Sequence, residues 1–289
     1  MGAWGPGLYQ DDEALDLKNT ISLLWKMPAD GDRILEILLA NQPEPPTFDR
    51  DGGPAFWLVV ADQFERRGIR CDLACERART AIDAGEDLRD LKAREMDDRD
   101  LRKRAKVLDA LKARLVSPRP LRPRPSGYRK PPMVVSPGEV FAFPSMQGES
   151  MNPWSGREPF QIYGGRFEPD GWGVLLILCT GRAYDWFPWC TYSTLSVWSE
   201  REPTLAEARD ARLSSMFARR GVPRARHLAR IGARLLGSLH LADARVERIP
   251  ITEEAKSPEY VVAVGWSLTG FSTAAPAVDA IRVTELLAD

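Results

Sequence analysis

The stretch VSPRPLRPRPSGYRKPP, residues 116–132, decides how this chain is organised. It holds six prolines among 17 residues, with five basic side chains and no acidic one. Each proline removes an amide donor and fixes φ near the polyproline value, so neither a helix nor a sheet ladder runs through such a segment. The stretch reads as a linker. It predicts a first domain over residues 1–115 and a second over residues 133–289, and 289 residues are enough for two domains of ordinary size. The flanks carry little net charge. Residues 1–115 have 19 basic and 23 acidic side chains, and residues 133–289 have 16 and 18.

The composition is that of a globular protein that folds in water, with 44% apolar and 28% charged residues and a net charge of −1. No basic segment followed by an apolar one opens the chain, so no secretory signal is expected. Apolar runs such as Val174 to Cys179 are too short to cross a bilayer, so no membrane partner is expected. Four cysteines without a targeting segment point to free thiols in a reducing cytoplasm.

Upstream of the linker the apolar residues recur with helical period. Residues 11–27 open on acidic side chains, which suit the positive end of the helix dipole, and continue with Leu17, Ile21, Leu24 and Trp25 on one side. Further helices are predicted over 31–41, 54–68, 71–85 and 97–115. The stripe of the third is Trp57, Val60, Ala61 and Phe64, and the fifth sets a leucine row against a charged face that reads as solvated. Trp4 stands among glycines ahead of the first helix, which allow the chain to fold back and bury its ring.

Downstream, MVVSPGEVFAFPSM (133–146) is β-like with a turn at Pro137–Gly138. Strands are predicted over 159–167, 171–180, 192–199, 259–268 and 280–287, and helices over 203–217 and 223–239. Strands, helices, then strands, without regular alternation, give an α+β class: a helical domain joined to one with a curved, mostly antiparallel sheet and two helices.

Two short stretches resemble known families. GAWGPGLYQDDEALD (2–16) resembles the start of the DUF4259 family of small bacterial proteins, through Gly2, Trp4, Gly5, Gly7, Asp11, Asp12, Ala14 and Asp16, with Leu8–Tyr9 where one aromatic is usual. That resemblance implies a small helical domain and no activity. SPGEVFAFP resembles the opening of the immunity protein 26 (Imm26) family, through Pro137, Gly138, Glu139, Val140, Phe141 and Phe143. It implies a non-catalytic domain that binds and blocks a toxin; the predicted helices between 203 and 240 depart from that family's compact form.

Candidate chemistry is sparse. Cys71 and Cys75 would share a helix face, but a metal needs about four ligands, and His227 and His240 lie in the other domain. Neither histidine has a recognisable nucleophile beside it. Cys179 and Cys190 read as core thiols. No metal, cofactor or catalytic residue is expected. The densest feature is AYDWFPWCTYSTLSVW (183–198), where Trp186, Trp189, Tyr192 and Trp198 read either as core or as a binding groove. RRGVPRARHLARIGARLL (219–236) spaces Arg226, Arg230 and Arg234 at helical intervals, with Arg219, Arg220 and Arg224 adding charge. An ordinary amphipathic helix is one reading, and a site for phosphates or an acidic partner the other. Together these residues predict a non-enzymatic, cytoplasmic protein-binding protein, an immunity or antitoxin-type factor, with Trp186, Trp189, Tyr192, Trp198, Arg226 and Arg230 as its contact residues. One alternative is a nucleic-acid binder using an arginine-rich helix 219–234 together with linker residues such as Arg124. The other is a hydrolase whose site the sequence does not reveal.

Overall fold

The structure is a computed structural model that describes residues 5–117, 129–154, 165–252, 257–265 and 280–288. Trp4, residues 118–128 of the proline-rich stretch, Arg124 among them, and most of the strand predicted over 159–167 lie outside these. The chain divides into two compact units, Met1–Arg129 and Lys130–Asp289.

The first unit is helical: α1 (Asp12–Leu24), α2 (Gly31–Ala40), α3 (Gly53–Arg67), α4 (Asp72–Asp83), α5 (Glu86–Ala93) and α6 (Asp98–Val116). Aspartates open three of them. Asp11, Asp30 and Asp97 cap α1, α2 and α6 by accepting hydrogen bonds from first-turn amides that have no partner within the helix. Helix α3 is the axis of the unit. Every residue from Phe56 to Glu65 is buried, so the expected one-sided stripe is part of a helix covered all round.

Burying α3 on all sides also buries Asp62, Gln63 and Glu65, and charges removed from water need partners. Arg114 of α6 supplies both carboxylates, reaching Asp62 and, at 2.8 Å, Glu65. Arg66 adds a 2.7 Å contact to Asp62. The Tyr9 hydroxyl donates to Asp62 and accepts from Gln63 Nε2; burial and the Asp62 carboxylate push its pKa upward. A second pair lies between α5 and α6, where Arg104 donates twice to Asp87, both bonds 2.8 Å and both side chains buried. The charged face of α6 is therefore not simply solvated, as its pattern predicted.

The second unit is built on an antiparallel sheet of β1 (Glu139–Met146), β2 (Glu149–Ser150), β3 (Gly171–Ala183), β4 (Phe187–Ser199), β5 (Arg219–Gly221) and β6 (Arg234–Ser238). The order is β2-β1-β3-β4-β5, with β6 sharing the outer edge of β1 with β2, and the sheet curls like half a barrel. The unit belongs to the α+β class. Pro137–Gly138 forms the predicted turn. Gly138 has φ +83°, and a Cβ there would stand 2.0 Å from the Leu239 carbonyl oxygen, so only glycine fits. Both faces of the sheet are covered. Val140, Val174, Leu176 and Leu195 pack on one side, and Phe141, Phe143, Leu175, Ile177 and Tyr192 on the other, which is why VLLIL (174–178) is apolar without alternation.

Four predicted elements differ. The helix predicted over 203–217 is only α7 (Leu205–Asp210), opened by Thr204 and Glu207 in a capping box. The arginine-rich helix expected over 219–234, and the longer one over 223–239, do not form. Arg219–Gly221 is β5, α8 spans Ala225–Arg230, and Gly232 at φ +72° ends the helix so that Arg234–Ser238 can pair with β1. Residues 259–268, predicted as a strand, begin as α10 (Pro258–Val264), opened by Ser257 and closed by Gly265. Residues 280–287 hold a short 3₁₀ turn, Val283–Leu286. Between β6 and α10, helix α9 (Asp243–Val246) packs its Val246 into the core. Among the described residues no helix is long and apolar enough to cross a membrane.

Candidate functional site

Strands β3 and β4 form a long hairpin whose pairing slips by one residue between Ile177 and Cys179. Side chains alternate between the two faces of a strand, and one extra residue reverses that alternation beyond it. Leu178 and Cys179, neighbours in sequence, therefore both line a cavity of about 370 Å³. Across β4 and β5, Thr191 and Arg220 stand opposite each other and face the same cavity. The Arg220 guanidinium lies 4.5 Å from the Trp189 ring centre, and its Nε donates to Thr191 Oγ1 at 3.4 Å. Arg220 is 9% exposed, and loss of hydration pulls its pKa down from the ordinary arginine value. Gly181 makes room for the stack, because a Cβ there would stand 2.4 Å from the Trp189 ring. The opposing wall comes from Asp243, Val246, Glu247, Ile249 and Ile251.

A second cluster lies on the other face of the sheet, where α8 packs through Leu228 and Ile231. His227 is 3% exposed and meets Trp154 edge to face, ring centres 4.4 Å apart. Its Nδ1 is buried without a hydrogen-bond partner among the described residues. Burial first, then the Arg224, Arg226 and Arg230 charges, lower its pKa to about 4, so it is neutral at pH 7. The Trp154 ring is 54% exposed, with the Arg224 and Arg226 guanidiniums 5.5 and 5.9 Å from its centre. The result is a water-facing aromatic plate held by cations, with a neutral imidazole behind it.

The structure separates the residues singled out from the sequence. Tyr192 is buried in the core and offers no contact surface, a correction to its expected role: it falls on the packed face of β4. Trp189 is half-buried in the cavity wall. Trp186 is half-buried at the hairpin tip, where its carbonyl accepts from Arg182 at 2.6 Å. Trp198 is 50% exposed, its indole nitrogen against Gly171. Arg226 and Arg230 are exposed on α8, whereas Arg234 leaves their row for β6 and pairs with Glu202 at 2.6 Å. Arg220 belongs to the cavity rather than to the α8 patch. Trp154, the centre of that patch, was missed. The available signal was a tryptophan in a Pro- and Gly-rich loop, MNPWSG, the setting already noted at Trp4.

All four cysteines are free thiols, and burial raises the pKa of Cys71 to about 11 and pushes Cys75 and Cys190 upward. Among the described residues no three His, Cys, Asp or Glu side chains come together to hold a metal. Comparison with protein-family models, with curated proteins and with solved structures finds no match, so neither resemblance drawn from the sequence gains or loses support.

Proposed function

We propose that the second unit is a non-catalytic recognition module that docks an acidic protein surface on the patch formed by Trp154, Arg224, Arg226 and Arg230. The observation that carries this reading is the state of Trp154: a large ring more than half exposed, with two guanidiniums against it. Tryptophan and arginine are the side chains in which interfaces concentrate their energy, and a cationic rim selects an acidic counterpart and speeds encounter. Together with the resemblance of residues 136–144 to the immunity protein 26 family, the patch makes a toxin that this protein blocks the partner of choice. Protein is favoured over nucleic acid because residues 133–289 carry more acidic than basic side chains, and because Arg234 turns away to Glu202 instead of extending a phosphate track. A hydrolase gains nothing from His227, whose Nδ1 has no hydrogen-bonded partner among the described residues to orient it as a base.

The test pairs two variants with capture from native cell extract. Trp154→Ala and Arg226→Glu/Arg230→Glu should each leave the melting temperature within a few degrees of the parent, since the groups removed are exposed. Each should abolish capture of a partner that the parent retains at low salt and loses at high salt. Unchanged capture by both variants overturns the docking face. Tight, steeply salt-dependent binding of single-stranded nucleic acid, lost in Trp154→Ala, replaces the protein reading by the nucleic-acid one.

A further inference from the structure

The cavity between the β3–β4 hairpin and α9 sits on the opposite face of the sheet from Trp154, and the proposed docking surface makes no use of it. We infer that it binds a small free amine, an alkyl- or arylalkylamine, with the apolar body inside and the ammonium at the mouth between Asp243 and Glu247.

The wall decides what the interior accepts. Leu178, Ala218, Val246, Ile249 and Ile251 give it an apolar lining, and about 370 Å³ lies within the usual range of small-molecule pockets. A branched aliphatic or phenyl body leaves water on entering such a space, whereas a folded segment is too large for it. The cation inside is already committed. Arg220 is nine-tenths buried, its Nε donates to the Thr191 hydroxyl, its guanidinium lies 4.5 Å from the Trp189 ring centre, and the Glu259 carboxylate of α10 attracts its charge. Arg220 therefore serves as wall, and the ligand has no need to pair with it. Burial of apolar surface is what the interior contributes to binding.

The mouth supplies the sign of charge. Asp243 and Glu247, one helical turn apart, are exposed at the cavity, and neither side chain forms an ion pair among the described residues. Arg245 of the same helix is engaged elsewhere, donating to the Leu287 carbonyl. Two such carboxylates on an open surface would be ordinary solvated groups; here an apolar cavity lies directly behind them. With Arg220 answered by Glu259, the charge left uncompensated at the cavity is that of the two carboxylates. An ammonium is drawn to it and an anion is turned away. Arg220, deeper in, keeps the ammonium from moving inward and so fixes which end of the molecule enters. A carboxylate on the same ligand would lie against Asp243 or Glu247 while the inner guanidinium is taken, so the site selects an amine against the amino acid of the same side chain.

The probes are 3-methylbutylamine and 2-phenylethylamine, titrated calorimetrically into the full chain at low salt. At least one should bind below about 1 mM, and three controls at least about tenfold more weakly. Methylamine lacks the apolar body, leucine adds a carboxylate, and 4-methylpentanoate replaces the ammonium by one. Asp243→Asn/Glu247→Gln, exposed and therefore expected to fold, should weaken the better amine about tenfold or more. Glu200→Gln/Asp210→Asn removes the same charge from exposed positions off the cavity and should bind as the parent does. No binding of either amine up to about 10 mM overturns the assignment. So does a control that matches the better amine, a mouth variant that binds as the parent does, or an equal loss in the two double variants. Because Trp154 takes no part, loss of this site and loss of the docking face are read separately.

Discussion

The two units handle buried charge in opposite ways. In the helical unit charge is answered by charge: Arg104 forks onto Asp87, and Arg114 spans Asp62 and Glu65. In the sheet unit the buried nitrogen groups Arg220 and His227 lie against rings, those of Trp189 and Trp154. A fork between two side chains is closed, because each partner uses up the other's hydrogen-bonding capacity. An imidazole lying against a ring makes no such exchange, and the His227 Nδ1 has no hydrogen-bond partner among the described residues. The first arrangement balances charge within an interior, and the second relies on ring contacts to hold a nitrogen group in place. The units also differ at backbone positions with positive φ. Gly52, Gly68 and Gly85 take them at helix ends, with Glu95 the exception, whereas the β3–β4 hairpin tip puts Tyr184 and Asp185 there.

The largest effect should come from breaking a fork. Arg104→Met strands the Asp87 carboxylate at 1% exposure and should destabilise the helical unit by about 3–5 kcal/mol, whereas Arg104→Met/Asp87→Leu should recover most of that loss. Urea unfolding of both variants checks this, and a double variant as unstable as the single one would mean that the fork contributes geometry rather than charge balance.

Next in size is an acid effect confined to the sheet unit. The folded pKa of His227, about 4, lies below its ordinary value of 6.5, so between these pH values the unfolded chain holds a proton that the folded one does not. Stability should therefore be complete above about pH 6.5, fall as pH drops through that window and level off below about 4, with a total loss of up to roughly 3 kcal/mol. His227→Phe keeps the ring against Trp154 and should remove this part of the pH dependence. The difference between parent and variant unfolding profiles isolates it from the carboxylates that titrate over the same range.

The smallest effect is a gain. Tyr184 and Asp185 have φ values of +53° and +54°, a region that side chains other than glycine and asparagine enter at a penalty. Asp185→Gly should stabilise the hairpin by about 1 kcal/mol, read as a rise in melting temperature. A fall instead would show that the Asp185 side chain holds the tip in place.

How much of this was legible in the sequence depended on what each signal encodes. Five helices of the first unit, the turn at Pro137–Gly138 and the apolar runs of β1 and β3 were plain, because period, caps and turn residues act locally. The helix predicted over 223–239 failed because Arg226, Arg230 and Arg234 keep a helical spacing that the chain does not use. Gly232 breaks the turn, and the open edge of β1 recruits Arg234–Ser238 as a strand. Residues 257–265 erred the other way: YVVAV has strand-like composition, but Ser257, Pro258 and Gly265 spell a capped helix, and the caps prevail. Helix α5 went unread because its eight residues are too few to set up a period. The sites were least visible. Arg220 pairs with Trp189 only after β5 docks on β4, and Trp154 reaches His227 from 73 residues away, so no local pattern reports either.

The register slip after Ile177 acts like a phase jump in a signal of period two. On either side of it the strand obeys the same in-out rule, but out of step. Leu178 is the residue that has no partner across the slip, so deleting it would leave Ile177 opposite Tyr192, Cys179 opposite Thr191 and Gly181 opposite Trp189, and the cavity would lose one apolar side chain from its wall while its polar groups kept their places.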